Sequence, residues 1–350
     1  MSSFISSSDG RRWRRFLLTL VGMAVAAGVA TYLFIVTVDP FDTLALSPAL
    51  NRVPVASNAR FAFPSLARSQ RFDSAIFGTS TSRLLRPREL DPLLGTRFAN
   101  LSMNSAEPYE QFRLLQVFAR HHPDARMAMI GLDTPWCLTG DRYDKFTERV
   151  FPEWLYEADA AWRGYREMLS AYALTQAVQE FRILIGRKKQ RYGSDGYTDF
   201  LPDDSLYDAG RAAALLPKPV QAGADDPSFD TTELRFPNHQ FLSAALQALP
   251  AATRKLLFFP PYYVGGQPPA GTEAFARLRE CKRRIAAIAA ATPGTLVADF
   301  MIPSGITDDP THYWDPLHYR VGIADRLGRD LADAAAGLPS RDGDYRAAPR

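Results

Sequence analysis

The hydrophobic residues of this chain follow two patterns. Near the N-terminus, residues 16–38 contain no charged side chain. This stretch of about 23 residues is long enough for a helix to cross the hydrocarbon core of a bilayer. Beyond residue 70, short apolar runs alternate with segments whose apolar residues recur at three- and four-residue spacing. These runs and segments are typical of buried strands and amphipathic helices, so the sequence predicts a spanning helix followed by an α/β domain.

Short apolar runs that end in glycine, proline or polar residues predict a sheet of about five strands. They lie at residues 73–78, 97–100, 126–133, 255–260 and 295–299. Amphipathic helices are predicted at residues 107–120, 274–291 and 321–336. Because helices separate the strands, the connections should be crossovers, and the sheet should be mainly parallel with both faces covered.

Charged residues around the apolar stretch predict its orientation. Arginines at positions 11, 12, 14 and 15 precede it, and Asp39 and Asp42 follow. The positive-inside rule then keeps residues 1–15 in the cytoplasm and places everything after Val38 outside. The alternative is a cleaved signal peptide, because small residues occur at 24–26 and 29–30. We expect a single-pass anchor in the inner (cytoplasmic) membrane, since the apolar run continues through residues 32–36, beyond a usual signal peptide.

The rest of the chain divides by composition. Residues 39–70 contain Pro54 and Pro64 without helical periodicity and predict an extended linker. The domain is predicted at 71–336, with a largely helical insertion at about 138–250 between the third and fourth strands. A basic run at 186–191 predicts a solvated loop, the alternative being contact with an anionic polymer or lipid headgroup. The polar residues 337–350 predict a disordered tail.

Composition excludes several classes of protein. Hydrophobic residues make up 46% of the chain and charged residues 23%, as in ordinary globular proteins. A net charge of +3 does not indicate a nucleic-acid partner. Two cysteines are too few for a disulfide scaffold, and nothing in the sequence brings Cys137 near Cys281, so we expect them to be free or only partly paired. No metal-ligand cluster or phosphate-binding glycine loop is visible, so neither metal nor cofactor is predicted.

A serine follows the first predicted strand, in the sequence Gly78-Thr79-Ser80-Thr81-Ser82. A glycine lets the chain turn sharply off the strand, which would place the Ser80 hydroxyl at the carboxyl edge of the sheet, where open α/β folds bind ligands. The Ser80 amide could also face a developing oxyanion. The alternative is a helix N-cap, because serine and threonine are favoured there. Ser82 stands where the G-x-S-x-G elbow has its last glycine.

An aspartate and a histidine occur together near the other end of the chain, as Asp315 and His318. On a helical turn this spacing would bring the carboxylate to the imidazole Nδ1 and leave Nε2 free to take a proton from serine. Alternatively, they are a surface histidine and an acidic cap at the start of the last helix. Combined with Ser80, they predict a hydrolytic triad.

Aromatic residues lie near both predicted site segments. Tyr262 and Tyr263 follow the fourth strand, and Trp314 precedes Asp315. They could form a stacking surface for a sugar; alternatively, Phe258 and Phe259 belong to the core and only the tyrosines reach solvent.

Taken together, these segments resemble the SGNH (GDSL-like) hydrolase superfamily. The resemblance is to its membrane-anchored, extracytoplasmic branch, which includes alginate O-acetylation proteins and the lipoteichoic acid D-alanylation protein DltD. The nucleophile block, a strand followed by Gly-Asp-Ser, resembles residues 77–80 with Thr79 in place of aspartate. The final Asp-x-x-His block matches residues 315–318. The second block resembles residues 100–106, where Ser105 or Ala106 replaces the usual oxyanion glycine. The third block, Gly-x-Asn-Asp, is reduced to residues 131–134, without its asparagine.

The resemblance implies a flavodoxin-like three-layer α/β/α fold and acyl chemistry on a cell-envelope polysaccharide in the periplasm. Ser80 would be acylated, His318 would act as base and then acid, and Asp315 would orient it. The Ser80 amide and the Asn104 side chain would bind the oxyanion. The expected activity is O-acyl transfer, acetyl first of all, or ester hydrolysis, with a polytopic membrane-bound O-acyltransferase as a candidate acyl donor. The alternative is a catalytically inactive protein of this fold that serves as a binding or assembly platform for envelope polysaccharide export or modification.

Overall fold

A six-stranded sheet forms the centre of the domain in the computed structural model, which describes residues 7–220 and 229–347. Its spatial order is β2-β1-β3-β4-β5-β6, with β1 to β5 parallel and β6 antiparallel to β5. The strands are β1 Ser74–Phe77, β2 Phe98–Asn100, β3 Met127–Gly131, β4 Arg254–Phe259, β5 Thr295–Asp299 and β6 Arg346–Ala347. The first five confirm the predicted strands, and their order is that of a flavodoxin-like fold.

Helices cover both faces of this sheet. They are α1 Ser7–Val38, α2 Ala59–Arg68, α3 Pro87–Leu94, α4 Pro108–His121, α5 Ala160–Glu167, α6 Ala171–Leu184, α7 Ala209–Leu215, α8 His239–Ala248, α9 Glu273–Ala290 and α10 Val321–Ala335. Successive strand residues point to opposite faces. Leu257 and Phe259 pack with α2, α4, α8 and α9, whereas Leu256 and Phe258 pack with α3 and α10. The three-layer α/β/α architecture is therefore confirmed.

The N-terminal helix is longer than the rest. Its segment Gly10–Val38 is long and apolar enough to cross a membrane. Most of its side chains are exposed, but Ile35 and Val38 are buried against the domain. The last turns of α1 are therefore packed on the folded domain, and the chain reaches the domain without a free spacer.

Residues 39–70 do not form the predicted extended linker, because they contain α2, which packs on α4. The helix begins at Asn58, whose side chain accepts a hydrogen bond from the Arg60 amide. Pro64 lies inside the helix and cannot donate to the carbonyl of Arg60. That carbonyl accepts a hydrogen bond of 2.9 Å from the hydroxyl of Tyr156. A partner from the insertion thus compensates for the proline, which the sequence pattern did not reveal.

The C-terminal segment is not the predicted disordered tail. Residues 346 and 347 form β6, and Tyr345 is buried against Phe300. Arg326 Nε donates a 2.7 Å hydrogen bond to the buried carboxylate of Asp344. The polar composition of this segment is explained by ion pairs to α10. Residues 348–350 of the predicted tail, and residues 1–6 of the predicted cytoplasmic segment, lie outside the described residues.

The segment 138–250 is largely helical, as expected, and contains α5 to α8. Its last helix, α8, packs beside α4 and is the crossover between β3 and β4. The basic run at 186–191 is exposed. Residues 221–228 of this insertion lie outside the described residues.

The two cysteines form a disulfide, so the prediction that they are free or only partly paired is wrong. Cys137 ends a 3-10 turn, Thr134–Cys137, directly after β3, and Cys281 lies on the buried side of α9. Their Cα atoms are 5.5 Å apart although 144 positions separate them in sequence. Both elements pack on the same face of the sheet, and this proximity depends on the tertiary fold, not on any local pattern.

Candidate active site

Three side chains predicted as a triad are in contact in the structure. Ser80, which follows β1, has its Oγ 2.8 Å from Nε2 of His318. Nδ1 of His318 is 2.6 Å from Oδ2 of Asp315. All three side chains remain partly exposed. A serine hydroxyl, an imidazole and a carboxylate are thus aligned at the carboxyl edge of the sheet, in the arrangement of a hydrolytic triad and with access for a substrate.

A closed loop, not the helical turn we expected, brings Asp315 to His318. The Trp314 amide donates to the His318 carbonyl at 2.9 Å, and Tyr313 pairs with Tyr319 across the loop. The following helix α10 begins only at Val321. The Tyr319 hydroxyl also donates to the Thr81 carbonyl at 2.6 Å. This bond ties the residue after His318 to the residue after Ser80 and fixes the spacing between the two loops.

The two oxygens of the Asp315 carboxylate have different hydrogen-bond partners. Oδ1 accepts hydrogen bonds from the amides of Leu317 and His318, at 2.8 and 2.9 Å, and Oδ2 faces the imidazole. Partial burial would raise the pKa of Asp315, but the hydrogen bond and positive charge of His318, with these two amides, outweigh burial and lower it. The carboxylate is therefore ionised at neutral pH and holds the proton of the imidazole on Nδ1.

Two glycines allow the nucleophile turn to form. Gly78 has φ +149°, a conformation that side chains rarely adopt. A Cβ on Gly78 would also lie 2.3 Å from the Oγ of Ser82, and a Cβ on Gly131 of β3 would lie 1.9 Å from it. Ser82 is fully buried in the space that both glycines leave. The turn that presents Ser80 therefore depends on glycine in β3 as well as in its own loop.

A buried carboxylate that the sequence reasoning missed holds this turn. Asp133, directly beyond β3, accepts hydrogen bonds from the hydroxyls of Thr79 (2.7 Å), Thr81 (2.8 Å) and Tyr262 (2.8 Å). Burial raises the pKa of Asp133, while the three hydroxyl donors favour its ionised form. Thr79 and Thr81 flank Ser80, so Asp133 holds the Ser80 turn from both sides. Asp133 is the third residue of the segment 131–134, whose resemblance to a Gly-x-Asn-Asp pattern was the signal in the sequence that could have identified it.

The predicted oxyanion residue Asn104 lies in the loop after β2. This loop is attached to the nucleophile turn, because the Met103 amide donates to the Gly78 carbonyl at 3.0 Å. Asn104 Oδ1 accepts a 2.8 Å hydrogen bond from Arg83. Because a guanidinium only donates, the amide oxygen must face Arg83. Within the described chain the Asn104 NH₂ group makes no hydrogen bond, and Asn104 is partly exposed, so this group could donate to a substrate.

The backbone geometry at the next position, residue 105, favours glycine. Ser105 has φ +53°, in the left-handed region that glycine favours. A non-glycine residue there costs on the order of 1 kcal/mol or more. Among the described residues, no partner is found for the backbone amides of Ser80 and Ser105. Ser105 therefore keeps the conformation of the expected glycine, with its amide available.

Arg83 was not predicted as a site residue. Its side chain is almost fully buried, and its guanidinium lies over the rings of Tyr192 and Phe200 at 5.2 and 5.5 Å. Both aromatic residues belong to the insertion, and Phe200 also contacts the ring of His318 edge to face. Within the described chain, no carboxylate pairs with Arg83, and its Nε and Nη2 have no hydrogen-bond partner. The insertion thus covers one side of the site and keeps a cation beside it.

The aromatic residues predicted to bind substrate have different environments. Tyr262 and Tyr263 are buried, with exposures of 4% and 5%, so the expectation that both reach solvent is not met. The Tyr262 hydroxyl is directed to Asp133, and Tyr263 packs against Tyr313. Trp314 is partly exposed and contacts Tyr207 edge to face at 5.1 Å. Of the three, only Trp314 has surface for a ligand.

Comparisons with known proteins add no assignment. The chain matches no model of a protein family, and no curated protein sequence matches it. Within residues 7–220 and 229–347, no group of three or more His, Cys, Asp or Glu side chains is arranged to hold a metal ion. The chemistry of the site therefore has to be inferred from its own residues.

Proposed function

We propose that the protein is an extracytoplasmic, serine-dependent O-acyl transferase or esterase that acts on a cell-envelope polysaccharide. One observation carries the proposal, the continuous hydrogen-bonded series from Ser80 through His318 to Asp315. Ser80 and His318 are 238 positions apart in the sequence, so the tertiary fold brings them together. The alternative for Ser80 was a helix N-cap, in which its side chain would accept a hydrogen bond from a helix amide. Its side chain contacts the His318 imidazole instead, as a triad requires.

The reaction follows from these positions. Ser80 Oγ attacks the acyl carbonyl while its proton passes to His318 Nε2, and Asp315 stabilises the imidazolium. The negative charge that develops on the carbonyl oxygen is bound by the Ser80 amide and the Asn104 NH₂ group. His318 returns the proton to the leaving alkoxide, which leaves Ser80 acylated. An acceptor hydroxyl, from water or from a sugar, then gives its proton to His318 and attacks the acyl carbon. The bond to Ser80 Oγ breaks, and His318 returns the proton to Ser80, which restores the free enzyme.

The choice of an envelope glycan is supported by the anchor and by the motif resemblance to the SGNH superfamily. A single helix preceded by arginines would hold the domain on the outer side of the inner membrane. There a polytopic O-acyltransferase could supply the acyl group, and acetyl is the group implied by the resemblance. Attachment of the last turns of α1 to the domain would keep the site close to the membrane surface.

Labelling with a fluorophosphonate tests the nucleophile. The purified full chain should react stoichiometrically, Ser80→Ala should not react, and Ser82→Ala should react like the wild type because the Ser82 hydroxyl has no partner. Labelling that persists in Ser80→Ala would refute the assignment of the nucleophile. No labelling of folded wild-type protein would favour the non-catalytic platform.

A cellular test separates the two reactions. In a strain that expresses Ser80→Ala at the normal level, O-acyl groups on the glycan should disappear if the protein is a transferase and accumulate if it is an esterase. Asp315→Asn and His318→Ala should give the same phenotype, because the three residues act as a unit. Unchanged glycan acylation in all three strains would support a platform role.

The proposed orientation has a separate test. A periplasmically active phosphatase fused after Arg350 should be active in cells, whereas a cytoplasmic reporter at the same position should be silent. The reverse result would place the domain in the cytoplasm and exclude an extracytoplasmic substrate.

A further inference from the structure

Helix α6 exposes large apolar side chains on the side turned away from the domain. Its buried side carries Gln176 and Glu180 beside two alanines, whereas Val178, Phe181 and the C-cap residue Ile185 are 40%, 43% and 45% exposed. The exposed residues are three and four positions apart and therefore share one face. A helix on the surface of a soluble protein normally turns such a face to the core. Within the described chain, this face is not buried, so something other than water is expected to cover it.

Contacts with α1 place this helix beside the apolar segment. The rings of Phe34 and Phe181 meet edge to face at 5.7 Å. The Tyr32 hydroxyl donates a 2.9 Å hydrogen bond to the carbonyl of Tyr165 in α5. Trp162, also in α5, lies next to Tyr165 with ring centroids 6.1 Å apart and is 63% exposed. The helices α5 and α6 thus lie along the last two turns of α1.

The depth of these contacts follows from helix geometry. An α-helix rises about 1.5 Å per residue, so a hydrocarbon core of about 30 Å takes roughly 20 residues. If the core begins at Phe16, directly after Arg15, it ends near Ile35. Tyr32 and Phe34 then lie at the outer edge of the hydrocarbon, and so do the parts of α5 and α6 that contact them.

From these observations we propose that α5 and α6 lie in the interfacial layer of a bilayer containing anionic phospholipid. We call the surface formed by Trp162, Val178, Phe181 and Ile185 the α5–α6 face. The face immerses its apolar side chains at the hydrocarbon boundary, where tryptophan is favoured. Exposed cations follow α6 directly, in the run 187–189, and would lie at the level of the lipid phosphates. Apolar residues flanked by cations are the composition of an interfacial helix.

Spin labelling of the full chain in liposomes tests this placement. The sequence has two cysteines and both are in the disulfide, so a single introduced cysteine is the only free thiol. Labels at Val178→Cys and Phe181→Cys should be more accessible to oxygen than to a water-soluble nickel complex. Leu93→Cys on α3 is the matched control, because Leu93 is 50% exposed on the opposite layer of the domain. It should show the reverse preference, and Val25→Cys in α1 should report full insertion.

The outcomes decide the proposal. Labels at 178 and 181 that behave like the one at 93 would overturn it, as would a water-accessible label at 25. A discrete distance between two copies of the label at 181, measured by pulsed spectroscopy, would show that a second chain covers the face. The Phe181→Cys label should also lie deeper in vesicles with phosphatidylglycerol than in purely zwitterionic ones. Replacing Arg187, Lys188 and Lys189 by glutamine should remove that difference. If the Phe181→Cys label lies equally deep in both lipids while these three cations are present, the proposal of an anionic lipid partner is refuted.

Discussion

Asp315→Asn tests the proposed mechanism most sharply, because the surroundings of Asp315 determine how the asparagine must lie. The amides of Leu317 and His318 both donate to Oδ1. An asparagine of the same shape keeps its oxygen on these donors and turns its NH₂ group toward His318. The imidazole Nδ1 must then accept a hydrogen bond, so its proton moves to Nε2. In that tautomer His318 cannot take the proton of Ser80.

The slowing of Ser80 acylation in Asp315→Asn can be estimated from the free energy of turning the asparagine amide around. Turning the amide around would lose two backbone hydrogen bonds, worth about 1 kcal/mol each. The resulting cost of about 2 kcal/mol favours the unproductive orientation about 30-fold, since 1.36 kcal/mol is tenfold. Repulsion between the NH₂ group and the two amides adds to this preference. We therefore expect acylation of Ser80 to slow by at least about 30-fold, and by up to about 10,000-fold if the wrong tautomer is fully populated.

The rate of fluorophosphonate labelling measures this loss, and the chain contains a matched control. Asp309 also precedes a histidine by three positions, and its Oδ2 lies 3.6 Å from Nε2 of His312. Asp309→Asn should label at the wild-type rate because neither residue contacts Ser80. If Asp315→Asn labels within about threefold of wild type, less than 1 kcal/mol of barrier, the reasoning on tautomers is refuted. Equal slowing by Asp309→Asn would show a general effect of charge on the loop.

Three further changes have calculable consequences. Asn104→Ala should lower turnover about 100- to 1,000-fold with little change in KM, because it removes one oxyanion donor; steady-state kinetics on a chromogenic ester measure this. Cys137→Ser opens a disulfide between positions 144 apart and should cost up to about 5 kcal/mol in the chain-entropy model, seen as a lower denaturation midpoint. Burial raises the pKa of Glu180 from 4.5 to about 7. Between these pH values Glu180 therefore keeps its proton in the folded protein but loses it in the unfolded chain. Stability should therefore fall, by up to about 3 kcal/mol, as pH rises from 4.5 to 7, and Glu180→Gln should flatten this profile in thermal unfolding.

Each has a contrary result. Full activity of Asn104→Ala would assign the oxyanion to backbone amides alone. An unchanged midpoint for Cys137→Ser, or for wild type in reductant, would mean that the unfolded chain gains little freedom when the bridge opens. A pH profile shared by wild type and Glu180→Gln would show that Glu180 is ionised when folded.

Local patterns predicted the central part of the fold and the contacts of the triad. Strands β1 to β5 were visible because each is a short apolar run between turn residues, and burial in a parallel sheet requires that composition. The contact of Ser80 with His318 was predictable because both follow the carboxyl edge of the sheet. Helix α2 was not visible, because Pro64 is tolerated only through the Tyr156 hydroxyl that satisfies the freed carbonyl.

Long-range contacts explain the remaining differences. Asp133 became a positioning residue because β3 lies beside β1, which brings it under Thr79 and Thr81. The tyrosines after β4 were expected at the surface, but Tyr262 is buried and its hydroxyl donates a hydrogen bond to the carboxylate of Asp133. The disulfide depends on the turn after β3 and α9 packing on the same face of the sheet, and the contact of Arg83 with Phe200 depends on how the insertion folds over the site. No periodicity in the sequence encodes such contacts.

The outer strands at both sides of the sheet are paired along part of their length. The proposed anchoring by α1 would concentrate many copies in two dimensions, where a strand with free backbone groups could add to that of a neighbour. Here β6 closes the outer side of β5, and the Asn100 amide at the end of β2 donates to the Asp195 carbonyl at 2.8 Å. Short closing segments at both sides thus act against fibrous self-association. A chain shortened before Arg346 would lose one of them and is expected to aggregate at surface densities that the full chain tolerates.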